Sequence, residues 1–75
     1  MARKRYDVVY RSVADKWNVT HQQTTLSTHF TKEAAVSAGV DVAKRNAPSQ
    51  LFIHRKDGTI EDERTYGDDP YPPRG

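Results

Sequence analysis

The chain has 75 residues, 29% of them charged, a net charge of +2 and no cysteine. That length makes one domain with a modest core, and the lack of cysteine excludes disulfide frameworks and thiolate metal sites together. No apolar run approaches the roughly 20 residues of a membrane span, and MARKRYDVVY is not signal-like, so a soluble, cytoplasmic protein is expected.

In chain order, RYDVVYR from Arg5 to Arg11 sets Tyr6, Val8 and Tyr10 against Asp7, Val9 and Arg11, the period-2 alternation of a strand. After the polar turn Ser12 to Lys16, WNVTHQQ alternates again, with Trp17, Val19 and His21 on one side and Asn18, Thr20 and Gln22 on the other. The two strands are predicted to form a hairpin. Thr24 to His29 is rich in Thr and Ser without a period and reads as a loop. Thr31 is placed to cap a helix, with Phe30 at the position of a hydrophobic staple. The helix runs to Asn46, because Pro48 disfavours helical geometry in the residue before it. Its wheel gathers Ala35, Val36, Ala38, Gly39, Val42 and Ala43 on one side and Glu33, Ser37, Asp41 and Lys44 on the other. So small a buried face needs a large side chain reaching across to it, and Trp17 is expected over Gly39. QLFIHR from Gln50 to Arg55 then puts Leu51 and Ile53 on one face and Phe52 and His54 on the other. Asp57-Gly58 is a hairpin dipeptide, and TIEDER returns with Ile60 expected inward.

The expected fold is therefore α+β: a two-layer domain with an antiparallel sheet of β-β-α-β-β order and one helix on one face. The whole of 1–75 is one domain, with a flexible basic arm at 1–4 and a Pro-rich C-terminal strap at 66–75. For YGDDPYPPRG a free polyproline segment is the alternative to the strap. Tyr66 and Tyr71 favour packing through Pro70, with Pro72 to Gly75 looser.

Six motifs occur together: W-x-V at Trp17 to Val19, T-K-E-A-A at Thr31 to Ala35, A-K-R-N at Ala43 to Asn46, L-F-I-H at Leu51 to His54, K-D-G-T-I at Lys56 to Ile60, and Y-G-D-D-P-Y-P-P at Tyr66 to Pro73. The chain from Val8 onward resembles a family of small uncharacterised bacterial proteins classed as a domain of unknown function. The resemblance supports the fold and implies no activity, cofactor or catalytic residue.

Chemistry is sparse. His21, His29 and His54 lack metal-ligand spacing, and Glu61, Asp62 and Glu63 alternate across a strand, so neither metal nor other cofactor is expected. Asp68 and Asp69 read as turn residues before Pro70. Ser12, Ser27, Ser37 and Ser49 sit in no nucleophile context, there is no phosphate-binding glycine loop, and a one-helix sheet offers little concave volume, so no enzyme activity and no small-molecule substrate are expected.

Binding through a surface is the remaining reading. From Met1 to Lys56 the chain carries ten Lys and Arg against four Asp and Glu, and from Asp57 onward two against six. Plain solubility chemistry accounts for this, and an anionic partner for the first part also fits it. The sheet face away from the helix is expected to display Val9, Arg11, Thr20, Gln22, Phe52 and His54, flanked by the basic arm Arg3, Lys4 and Arg5. Protein interaction or homodimerisation through that face leads. Nucleic-acid binding, with bases on Phe52 and phosphates on Arg11 and the arm, is the alternative, opposed by Glu61 and Glu63 on the same face.

Overall fold

The structure is a computed structural model that describes residues 4–67. Five strands and one helix follow in the order β1 (Lys4–Arg11), β2 (Lys16–His21), β3 (Thr24–His29), α1 (Lys32–Arg45), β4 (Ser49–His54) and β5 (Ile60–Tyr66). The α+β class and the single covering helix agree with the expectation, but the element order is β-β-β-α-β-β and the sheet is mixed. Its strands lie in the order β3-β2-β1-β4-β5, with β1 parallel to β4 and every other neighbour antiparallel.

The extra strand is the segment expected to be a loop. Thr24, Thr25 and Thr28 are β-branched, which suits a pleated edge, but no alternation betrays them. Val19 pairs with Ser27 and Thr20 with Thr25, so Leu26 is an extra residue that breaks the period. The β2–β3 turn is the two residues Gln22 and Gln23, at φ 50 and 71. That is the left-handed backbone of a tight hairpin, built without the Gly or Asn that normally marks one.

Thr31 caps α1 as expected, its Oγ1 accepting from the Ala34 N–H at 3.1 Å. Asn46 closes the other end by donating Nδ2–H to the Val42 carbonyl at 2.8 Å. Phe30 makes no staple. It stands 82% exposed, with Lys16 Nζ 5.0 Å from its ring centroid.

The core is Tyr6, Val8, Trp17, Val19, Ala35, Ala43, Leu51 and Ile53. Beneath Gly39 lie Leu51 and Val8 rather than Trp17: a Cβ on Gly39 would stand 3.1 Å from Leu51 Cδ1 and from Val8 Cγ2. Trp17 opposes Tyr10 near the end of β1, which carries it toward the start of the helix, where Lys32 Nζ is 5.6 Å from its ring. It is buried there, but it is not what fills the space over the glycine.

A second bulge corrects β5. Ile53 pairs with Asp62 but His54 pairs with Ile60, so the register slips between them. The slip turns Ile60 to the face away from the helix, 43% exposed, and Glu61 to the helix side, where it pairs with Lys32. Tyr66 ends β5 packed against the core, and Lys4 is already part of β1 rather than of an arm. The rest of the expected strap, Asp68 to Gly75, lies outside the described residues. Within the described residues no helix is long and apolar enough to cross a membrane.

Candidate functional site

α1 covers one face of the sheet, and the side chains that alternate away from it make the other. From β1 these are Arg5, Asp7, Val9 and Arg11, since Tyr6 and Val8 are in the core. Asp7 pairs with Thr20 of β2 on one side and Phe52 of β4 on the other. Both neighbours therefore point the same way as Asp7, and His54 joins them two residues along β4.

Of the residues expected on this face, Arg5, Val9, Arg11, Thr20, Gln22 and His54 line one concavity of about 650 Å³, together with Asp7 and Gln23. Phe52 is close by but half-buried, and the Arg5 guanidinium lies 4.2 Å above its ring centroid. Lys4 takes the opposite side of β1, in register with Ser49, and its N–H donates to the Pro48 carbonyl at 3.2 Å. Arg3 lies outside the described residues. Glu63, in register with Phe52, remains on this face, whereas Glu61 has left it.

The centre of the site is Asp7, which sequence reasoning placed on this face but did not count among its binding residues. Arg5 donates to both of its oxygens, Nε to Oδ1 and Nη2 to Oδ2, each at 3.1 Å. His54 Nε2 is 2.8 Å from Oδ2. This fork and the stack on Phe52 hold Arg5 in one place. The hydrogen bond to Asp7 raises the pKa of Arg5, burial opposes it, and the charges of Asp7 and Glu63 add to the rise, so the guanidinium is a fixed cation. Thr20 is only 8% exposed although it belongs to the uncovered face.

As chemistry, the Asp7–His54 pair differs from a general-base dyad. A base needs one ring nitrogen turned to the reacting group, but His54 Nδ1 already faces the Gly58 carbonyl at 3.2 Å. Ser27 Oγ lies 2.9 Å from His29 Nε2 on β3, and Ser49 is buried, donating to the Ala43 carbonyl. Neither serine lies in the concavity. Among the described residues no three His, Asp or Glu side chains gather as a metal site. What the arrangement can do is present the Arg11 guanidinium, the N–H groups of Arg5 not engaged by Asp7 and neutral hydrogen-bonding side chains along one concave face.

Residues 6–66 match the model of a family described as an uncharacterized protein conserved in bacteria, DUF2188. The chain belongs to that family. It is also 30% identical over 64 residues to the uncharacterized protein YycD of Bacillus subtilis (strain 168), a match covering 84% of this chain and 97% of that protein. No solved structure matches. The DUF2188 span runs from the first core residue of β1 to the last residue of β5, so it takes in every strand and the helix apart from Lys4 and Arg5 at the start of β1. Asp7, Val9, Arg11, Thr20, Phe52 and His54 fall within it, and Arg5 immediately precedes it.

Proposed function

We propose that this chain is a non-enzymatic binding module that takes an acidic segment of a protein partner on the open face of its sheet. The observation that carries the reading is the concavity itself, where Arg5 and His54 engage Asp7, Arg11 lines the same hollow farther along β1, and Thr20, Gln22 and Gln23 add hydroxyl and amide groups. Forked guanidinium groups suit carboxylates, and the neutral groups suit a peptide backbone. A face this polar does not favour an apolar dimer contact. It favours nucleic acid less than the peptide, because the Phe52 ring that would stack a base is already covered by Arg5. The engaged nitrogens of His54 support the absence of catalysis.

The test is an amide chemical-shift titration of the full chain at low salt with a short peptide alternating Glu and Ser, beside a short oligothymidylate. The peptide is expected to move amides from Arg5 to Arg11, from Thr20 to Gln23 and at His54, and Arg11→Glu is expected to abolish the shifts. If only the oligothymidylate moves these amides, with an affinity that falls steeply with salt, the partner is nucleic acid instead. If neither moves them, the open face is not the binding surface.

A further inference from the structure

The two edges of the sheet are protected unequally. β5 presents Glu61, Asp62, Glu63 and Arg64 in succession, the charged kind of edge that resists pairing with another chain. β3 reads TTLSTH and carries no Lys, Arg, Asp or Glu. Leu26 at its bulge is 46% exposed and Phe30 just past its end is 82% exposed, two of the four large apolar side chains that stand out among the described residues. We infer that β3 is a self-association edge, on which two copies pair antiparallel, β3 to β3, about a two-fold axis near Leu26.

The occupant is a second copy because a two-fold edge is read by itself. With the axis near Leu26 and Ser27, Thr24 and Thr25 of one copy lie opposite His29 and Thr28 of the other, so no charged side chain meets its like. The same operation on β5 would bring the run Glu61-Asp62-Glu63 against itself. The axis also brings the two Leu26 side chains together and lays each Phe30 beside Gln23 of the second copy, which covers the apolar groups that one chain leaves in water.

The helix layer accommodates the same axis. α1 returns along β3 from a chain reversal at Phe30 and Thr31, and His29, Ala34, Ser37, Ala38, Asp41 and Lys44 border one shallow groove between them. Five steps of strand from Thr24 to His29 cover about 17 Å, and ten steps of helix from Ala34 to Lys44 cover about 15 Å. The middle of β3 therefore lies beside the middle of α1, near Ala38. Near Ala38 the helix flank toward β3 carries the small side chains Ala34 and Ala38, while Asp41, paired with Arg45, and Lys44 border the same groove farther along. The product is one continuous sheet with both open faces on the same side, so two concavities are offered to one bivalent partner.

Sedimentation velocity of the full chain over a concentration series tests this independently of any peptide. A concentration-dependent dimer is expected. Leu26→Lys should weaken it by about tenfold or more by placing two cations at the axis, whereas Ile60→Lys, a similar change on the far strand, and Arg11→Glu, on the open face, should leave it unchanged. Circular dichroism melting checks that each variant folds, and if Leu26→Lys does not, Phe30→Ser, outside the strand, carries the same expectation. A chain that stays monomeric at every concentration overturns the inference. So does a dimer that survives Leu26→Lys, or one that Arg11→Glu abolishes.

Discussion

Gly39 gives the most direct test of how this small core is built. Replacing it with Ala adds one methyl to the buried middle of α1, and two effects then compete. The helix gains about 1 kcal/mol from the better propensity of Ala. The new Cβ, however, stands 3.1 Å from Leu51 Cδ1 and from Val8 Cγ2, and both of those side chains are fully buried. Overpacking of this kind costs about 1–3 kcal/mol, so Gly39→Ala should lower stability by about 0–2 kcal/mol. The reasoning is sharpened by changing the neighbour. Leu51→Val removes both Cδ atoms at a cost of about 1–2 kcal/mol for the lost methylene and its cavity. In that background only the contact with Val8 remains, and Gly39→Ala should become neutral or stabilising by up to about 1 kcal/mol. The assay is urea unfolding followed by the fluorescence of Trp17, the one tryptophan, across the four proteins of the cycle. If the two changes add to within about 0.5 kcal/mol, the sites are uncoupled and the close approach of Leu51 to the helix is refuted.

Two further predictions concern polar groups. Asp7→Asn keeps the shape of the side chain but removes the carboxylate that Arg5 and His54 share; since Asp7 is 17% exposed, urea melting should show a loss of about 1–3 kcal/mol, and the Glu-Ser peptide should bind more tightly as Arg5 is released. An unchanged midpoint would mean that the fork adds nothing to the fold. At the β4–β5 turn, the Thr59 N–H, and after it the Thr59 hydroxyl, donate to Asp57 and lower its pKa from the ordinary 3.8. A depressed folded value contributes stability that is fully present above the ordinary pKa and is lost as pH falls through the folded one. Asp57→Ala should therefore shift the melting temperature most at neutral pH and progressively less below pH 3.8, and two curves that stay parallel into acid would contradict the assignment.

Much of the fold was legible because period-2 alternation survives in β1, β2 and β4, and because Thr31 and Pro48 bracket the helix. One missed strand nevertheless changed the topology. With two strands before the helix, the chain reaches β4 running opposite to β1. With three, the same helix delivers β4 parallel to β1, and the sheet becomes mixed. β3 was hidden by local chemistry: a hairpin turn made by Gln22 and Gln23 at positive φ, and an alternation interrupted by Leu26. The misplacement of Ile60 and Glu61 has the same kind of cause, since the slip between Ile53 and His54 moves residues across the sheet without leaving a mark in the residue pattern.

The binding face divides along the same line. Which residues point away from the helix follows from parity along a strand, and so Val9, Arg11, Thr20, Phe52 and His54 were found from sequence. Which of them touch follows from strand order, and parity is blind to that. Asp7 could be placed on the open face beside Val9, but its role depends on β1 lying between β2 and β4. Only the parallel register that sets Asp7 beside Phe52 brings His54 within 2.8 Å of its carboxylate. The same register puts the Phe52 ring under Arg5. One topological fact thus changes the reading of three residues at once. Phe52 stops being a free stacking platform, Arg5 becomes a cation fixed on the domain, and Asp7 changes from an incidental strand acid into the group that organises both. A missed edge strand, by setting the direction of β4, therefore moves the functional argument from exposed rings and phosphates toward carboxylates received by a preorganised polar groove.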